Sequence, residues 1–90
     1  MVTVKHKGIP YRLVHVEWDD SAGSDRWEHL PVESRTPLRI HSVGWLIERT
    51  EKSVTVAASF GGVGDEKNHQ VHGMMTIPAG CVRRIRRLKP

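Results

Sequence analysis

The sequence predicts an all-β fold, in which five short strands form one small, strongly bent barrel. Apolar and polar residues alternate with period two along several segments, which is typical of half-buried strands. Clusters of Gly, Pro, Asp and Ser separate these segments, as turn residues do. The chain has 90 residues, enough for one hydrophobic core but not for two, so residues 1–90 are expected to form a single domain.

The first predicted strand covers residues 11–18, YRLVHVEW. Val14, Val16 and Trp18 share one face of it, and we expect that face to be buried. Asp, Ser and Gly dominate residues 19–25, so the strand is predicted to end in a turn there. The chain then continues as a long surface loop up to the next strand.

Two further strands are predicted at Ile40–Thr50 and Ser53–Phe60. Only two residues separate them, which indicates a β-hairpin, although the connection Glu51-Lys52 is not an Asn-Gly turn. Gly44 lies inside the first of these strands. It predicts a bulge or a sharp bend, since glycine in a strand interior commonly marks one.

A glycine-rich loop and a fourth strand follow the hairpin. The loop, GGVGDEKNHQ at residues 61–70, lacks the Gly-Lys-Ser/Thr ending of a phosphate-binding P-loop and is predicted to be flexible. The strand, VHGMMTI at residues 71–77, places Val71, Met75 and Ile77 on one face.

The basic segment CVRRIRRLKP has two structural interpretations. We predict a short 3-10 or helical turn near residues 78–82, followed by a short edge strand. The alternative is an α+β domain in which residues 79–89 form a helix, because Val82, Ile85 and Leu88 recur every third residue.

The formal net charge is +4, and the excess lies in this basic segment. Five of the 14 Lys and Arg residues follow Cys81, and the remaining nine are balanced by ten Asp and Glu. Guanidinium groups match phosphate oxygens, so a local cluster of them indicates an anionic ligand. The candidate ligand-binding residues are Arg83, Arg84, Arg86 and Arg87. The alternative is that these charges only prevent unwanted pairing at an edge strand.

The three tryptophans are candidates for core or contact residues. Trp18 and Trp45 lie on the apolar faces of their predicted strands, so they are expected in the core. Trp27 lies in a polar segment, DRWEH, where an exposed indole can stack on a base or anchor an interface. We therefore add Trp27 to the candidate ligand-binding residues.

No metal, cofactor or catalytic group is predicted. His69 and His72 have an H-x-x-H spacing, but a structural zinc site normally needs four Cys or His ligands, and no further ligand lies near them in the sequence. The loop from Asp19 to His29 contains carboxylates, serines and a histidine, yet any solvated loop does, and no pocket around them can be inferred. We expect a protein without enzymatic activity.

Cys81 is the single cysteine, so no internal disulfide is expected and a reducing compartment is indicated. Charged residues interrupt the N-terminal stretch too early for a secretory signal. No apolar stretch approaches the roughly 20 residues that span a bilayer. The chain is therefore predicted to be cytosolic, without membrane contact.

Several short motifs connect this chain to a group of known proteins: Trp-x-Asp-Ser, Ser-Val-Gly-aromatic-Leu, and an Ile-Pro corner before a closing Ile-x-x-Leu. Residues 12–88 resemble small β-barrel proteins encoded by bacteriophages and prophages, a group without an established activity. The residues that carry the resemblance are Trp18, Asp20, Ser21, Ser42, Val43, Gly44, Trp45, Leu46, Ile77, Pro78, Ile85 and Leu88. The resemblance implies an accessory protein in the cytosol of a bacterial host.

A second resemblance, to SH3-like and Sm-like small barrels, rests on Gly44-x-Leu46 and on the closing IPAGCVRRI. It implies a fold that forms rings or other homo-oligomers. Sm-like proteins hold an RNA base with an Asp and an Asn after this strand, whereas residues 47–53 read IERTEKS here. The resemblance therefore does not imply their RNA pocket.

The expected function combines the basic segment with these resemblances. We expect a non-enzymatic phage or prophage accessory protein, a homo-oligomer that binds nucleic acid or a host nucleotide signal and sequesters it to counter host defence. One alternative is a protein-interaction module that inhibits a host protein through the loop from Asp19 to Leu30. Another is a small component of the virion or of its assembly.

Overall fold

The computed structural model describes residues 3–20, 27–32, 34 and 36–89. Within them the chain forms six strands, two 3-10 turns and no α-helix, so the all-β prediction is confirmed. The strands are β1 (Thr3–His6), β2 (Ile9–Asp20), β3 (Leu38–Arg49), β4 (Ser53–Gly61), β5 (Gln70–Pro78) and β6 (Val82–Arg87). The first 3-10 turn is Glu66–Asn68, and the second is Ala79–Cys81.

Strands β2 to β5 form an antiparallel meander, each hydrogen-bonded to the next. After β5 the second 3-10 turn redirects the chain, and β6 returns to pair antiparallel with β2. Strand β1 forms a hairpin with the start of β2. Within the described residues no pairing joins β5 to β6, so the sheet does not close its hydrogen bonds into a complete barrel.

The core lies on one face of this sheet and is small. Its buried cluster consists of Val14, Val16, Val54, Val56 and Ile77, each at most 4% exposed. The partly buried residues packed against it are Trp18, Leu46, Met75, Cys81, Val82 and Ile85. The period-two patterns of β2, β4 and β5 therefore identify the core positions of these strands correctly. On β4 the pattern fails beyond Val56, because it places Ala58 on the buried face and Ala57 on the other, whereas Ala57 is fully buried and Ala58 is exposed.

Strand β1 is missing from the sequence prediction, which gave five strands instead of six. His6 pairs with Ile9, so only Lys7 and Gly8 form the turn of the β1–β2 hairpin. Both residues have positive φ, 49° and 81°, as a two-residue type I′ turn requires. The sequence signal is weak because lysine stands where asparagine or aspartate is usual.

The β3–β4 hairpin is confirmed, and a threonine replaces the usual Asn-Gly turn. Thr50 Oγ1 accepts hydrogen bonds from the backbone N–H groups of Lys52 and Ser53, both at 3.1 Å. The backbone N–H of Thr50 also donates to the Ser53 carbonyl at 2.9 Å. The side chain thus supplies the local hydrogen bonds that stabilise the reversal.

Of the bulge or sharp bend predicted at Gly44, the bulge lies instead at Ile47, since the β3–β4 register shifts between Leu46 and Glu48. Gly44 pairs regularly with Val14. The glycine is needed for close packing, because a Cβ atom there would lie 2.8 Å from the carbonyl oxygen of Ala57.

The basic segment forms a 3-10 turn followed by a strand, as predicted, and the alternative of a C-terminal helix is wrong. A bulge explains the misleading three-residue spacing. Val82 pairs with Trp18 while Arg84 pairs with the adjacent Glu17, so Arg83 is an extra residue in β6. Val82 and Ile85 can therefore both pack on the core although three positions separate them.

Candidate functional site

Three of the four candidate arginines lie on the outer face of the sheet. Arg84 pairs with Glu17 and Arg86 pairs with His15, and these β2 residues alternate with the buried valines. Arg83, in the bulge, reaches Asp19 on this same face. Arg87 instead pairs with Val14, so it lies on the core-facing side of the sheet. It is nevertheless exposed, because it is the last residue of β6.

An ion-pair network on this face includes Arg39 of β3, which the sequence analysis did not select. Arg39 donates to Glu17 Oε1 at 2.6 Å and to Asp19 Oδ1 at 2.5 Å. Arg83 Nε donates to the other oxygen of Asp19 at 2.6 Å, and its Nη1 donates to the Gly80 carbonyl at 3.2 Å. Each carboxylate oxygen of Asp19 therefore binds one guanidinium group, and Arg83 is already engaged within the chain.

These contacts fix the charge state of both acids. Hydrogen bonds from Arg39, and then from Arg83, lower the pKa of Asp19 below its ordinary value. The hydrogen bond from Arg39 lowers the pKa of Glu17 in the same way, and the two carboxylates raise the pKa of Arg39. Both acids are therefore ionised at neutral pH, and they neutralise part of the positive charge of this face.

A histidine pair lies beside the network. His15 Nε2 and His41 Nδ1 are 2.9 Å apart, and the two rings stack at a centroid distance of 5.1 Å. Arg86 Nη2 lies 3.4 Å from His15 Nδ1. Since a guanidinium group can only donate, His15 accepts at Nδ1 and donates from Nε2 to His41. Arg86 is thus anchored to this pair, which the sequence spacing did not indicate.

A groove of about 480 Å³ lies between the β3–β4 turn and β6. The residues that line it are Arg49, Thr50, Glu51, Val54, Ala79, Val82, Arg83, Arg84 and Ile85. Its volume lies in the range of small-molecule sites. Among the described residues no carboxylate oxygen lies within 4 Å of a guanidinium nitrogen of Arg49 or Arg84. The groove therefore combines the partly engaged Arg83 with Arg49 and Arg84, which form no ion pair within 4 Å in the described part of the chain. The charge of Arg84 still acts on Glu17, its cross-strand neighbour.

Arg49 is the groove residue that sequence reasoning missed. It stands 34 positions before Arg83 in the chain and belongs to no basic cluster. Only the return of β6 to β2 and the bend of β3 toward β4 bring these arginines to one groove. No local signal in the sequence identifies it.

The tryptophans take three different positions. Trp18 packs against the core and donates from Nε1 to Ser42 Oγ at 3.1 Å. Trp45 pairs with Leu13 on the other face and packs edge-on against Phe60, so it lies outside the buried cluster where we expected it. Trp27 is fully exposed and does not line the groove.

The described part of the chain contains no group of three or more His, Cys, Asp or Glu side chains able to hold a metal ion. His69 contacts His6 rather than His72. Most of the acid, serine and histidine loop considered for catalysis, residues 21–26, lies outside the described residues. In the described segments no helix has the length and apolar character needed to span a bilayer.

No protein-family model, curated protein or solved structure matches this chain.

Proposed function

We propose that this protein is a non-enzymatic binding protein that holds a phosphate-bearing ligand in the groove between the β3–β4 turn and β6. The observation that carries the proposal is the convergence of Arg49 and Arg84, from distant parts of the sequence, on one groove where the described residues offer no carboxylate partner within 4 Å. A planar guanidinium group binds phosphate oxygens through paired hydrogen bonds, which favours this ligand class.

The groove is large enough for a nucleotide, and its arginines favour a phosphate, which together support a nucleotide as the ligand, either free or as part of a nucleic-acid strand. In the bacteriophage setting that the sequence resemblance implies, such a protein sequesters a host nucleotide signal in the bacterial cytosol. Arg83 contributes charge to the groove but keeps its bond to Asp19. Arg86 and Arg87 act at longer range, since neither lines the groove.

The test is binding of a short mixed-sequence single-stranded DNA and of a cyclic nucleotide, measured by fluorescence anisotropy and calorimetry. Arg49→Gln and Arg84→Gln are each expected to weaken binding by about tenfold or more, because each removes a charge-assisted hydrogen bond. Arg87→Gln is the matched control, since it removes the same charge from the same strand outside the groove.

Equal effects of the substitutions at Arg84 and Arg87 would show that only net charge matters and would reject the groove. Absence of binding to either ligand would reject the proposal itself. Trp27→Ala tests the remaining sequence candidate, and unchanged affinity removes Trp27 from the ligand site.

A second function, binding to a host protein, is favoured by a different observation. The described part of the connection between β2 and β3 exposes Trp27, Leu30 and Val32, and Leu38 at the start of β3 is exposed as well. Such exposure in a small domain is typical of a contact surface for another protein or for a second copy of the chain. A pulldown from bacterial lysate that survives nuclease treatment and is lost in Trp27→Ala supports this function, and light scattering distinguishes self-association.

A further inference from the structure

A second pocket, of about 170 Å³, lies where the β1–β2 hairpin meets β4 and the start of β5. The residues that line it are His6, Tyr11, Ile47, Phe60, His69, Gln70 and Val71. None of them lines the arginine groove. The pocket is therefore a separate feature, and the proposed function makes no use of it.

Aromatic rings form most of its wall. Phe60 packs edge-on against His69, with ring centroids 5.2 Å apart, and lies 5.9 Å from the ring of Tyr11. The rings of His6 and His69 are 5.0 Å apart. Rings in tilted and edge-on contact leave faces and edges available to a further planar ring, which prefers the same offset and edge-on arrangements.

The glycine-rich loop positions His69 through local hydrogen bonds. Gly62 has φ 79°, and a Cβ atom there would lie 2.3 Å from the carbonyl oxygen of Asn68. Asn68 donates from its backbone and its side chain to Asp65, at 2.9 and 2.5 Å. The backbone N–H of His69 donates to the Glu66 carbonyl at 3.3 Å. The loop is thus a hydrogen-bonded turn that ends at the pocket.

The two histidines supply a polar pair at this wall. Their Nδ1 atoms are 2.9 Å apart, so in the neutral pair one Nδ1 donates and the other accepts. The tautomers are then complementary. The ring that accepts at Nδ1 carries its proton on Nε2, and the ring that donates from Nδ1 has a lone pair on Nε2. The pair therefore offers one donor and one acceptor, which is what the polar edge of a heteroaromatic ring requires.

We propose that this pocket binds one planar heteroaromatic ring of the size of a pyrimidine base. An apolar cavity of about 150 Å³ accommodates benzene, so the volume suits a single ring. The aromatic wall favours stacking and edge contacts, as in the base sites of single-strand-binding proteins. The histidine pair and the Gln70 amide select a ring with hydrogen-bonding groups over a plain aromatic ring.

The experiment is an NMR titration of the full chain with cytidine, which has no phosphate and so does not depend on the arginine groove. We expect saturable shifts at the ring resonances of Tyr11, Phe60 and His69. His69→Ala is expected to weaken binding by about fivefold, the loss of one or two hydrogen bonds. His72→Ala, an exposed histidine outside the pocket, is the matched control and leaves the affinity unchanged.

Val71→Phe tests the same pocket by filling it, and it should abolish the shifts while the unfolding transition is retained. The proposal is wrong if the wild-type rings do not respond to cytidine or if ribose alone produces the same shifts. It is also wrong if p-cresol, which mimics a tyrosine side chain, binds more tightly than cytidine. These outcomes are independent of phosphate binding at Arg49 and Arg84.

Discussion

Asp19 connects two strands through a single carboxylate, because Arg39 of β3 and Arg83 of β6 bind its two oxygens. The same bond that orders β6 also withdraws Arg83 from an external ligand. Exposed ion pairs contribute little to stability individually, but a shared, doubly bonded carboxylate favours one geometry of the basic strand. Asp19 thus limits the positive charge that the outer face presents to a ligand.

The pKa shifts at this network predict how stability depends on pH. Arg39 and Arg83 lower the folded-state pKa of Asp19, and Arg39 lowers that of Glu17, from ordinary values of 3.8 and 4.5. Groups with a depressed folded-state pKa stabilise the protein fully above the unfolded pKa, and this contribution is lost as pH falls through the folded pKa. The contribution of these two acids should therefore be complete above about pH 5.5 and be lost toward pH 3, so the urea unfolding midpoint should fall over that range.

Asp19→Asn should make this acid dependence shallower, since only Glu17 then loses its ion pair. Glu66→Gln in the exposed first 3-10 turn is the control and should keep the wild-type profile. An unchanged profile in Asp19→Asn would contradict the assignment. If the groove binds phosphate, Asp19→Asn should also strengthen binding, because it releases Arg83.

Strand β3 shows how one element can serve two neighbours. Its first part pairs with β2 and its last part pairs with β4, with a register shift around Ile47. Gly44 lies where β3 passes close to Ala57 of β4, and Arg49 at the end of β3 lines the groove. The element therefore determines the site through its bend, not through a motif of its own.

Gly44→Ala tests this close approach. The added Cβ atom would lie 2.8 Å from the Ala57 carbonyl oxygen and 3.3 Å from Val56 Cβ, so the strands must separate. We expect a loss of about 1–3 kcal/mol in the free energy of unfolding. Gly80→Ala is the control, since no atom lies within 4 Å of a Cβ atom there, and it should change stability by less than about 0.5 kcal/mol. Equal losses at both positions would show that close approach is not the cause.

The whole molecule depends on a single small core and carries two separate candidate sites. The buried hydrophobic residues of the described chain are Val4, Val14, Val16, Val54, Val56, Ala57 and Ile77. Val54 contributes to this core and also to the lining of the arginine groove. Loss of core packing should therefore disturb that groove as well as the fold.

Ile77→Ala should destabilise the protein by about 2–5 kcal/mol, because Ile77 is fully buried and its truncation leaves a cavity. Val63→Ala, at a position that is 60% exposed, should change stability by less than about 0.5 kcal/mol. Chemical denaturation of both variants measures the difference. Similar values would mean that Ile77 does not lie in the core.

The salt dependence of single-strand binding tests how many phosphates the protein contacts. Arg49 and Arg84 line the groove without a carboxylate partner among the described residues, and neutralisation of two phosphates of a single strand predicts a slope of log K against log salt of about −1.4. Arg84→Gln should reduce the magnitude of this slope by about 0.7, and Arg87→Gln should leave it nearly unchanged. A wild-type slope near zero would exclude phosphate contacts.

The sequence by itself determined the strand class, the core positions of β2 and β5, Val54 and Val56 of β4, and the β3–β4 hairpin, because side-chain alternation is a local property of a strand. Alternation did not identify Ala57, which is fully buried on the opposite face of β4. The sequence also located the basic segment, although the bulge at Arg83 gives the apolar residues of that strand a three-residue spacing that is typical of a helix. Strand β1 escaped prediction because Lys7 is an unusual residue for its turn conformation.

Only the tertiary structure decided which arginine side chains remain available to an external ligand. The pairing of β6 with β2 placed Arg83 against Asp19, and the course of β3 placed Arg49 at the groove that Arg84 also lines. It also joined His6 to His69 across 63 positions of sequence. Ion pairs, grooves and pockets arise from contacts between distant strands, and composition and periodicity carry no information about those contacts.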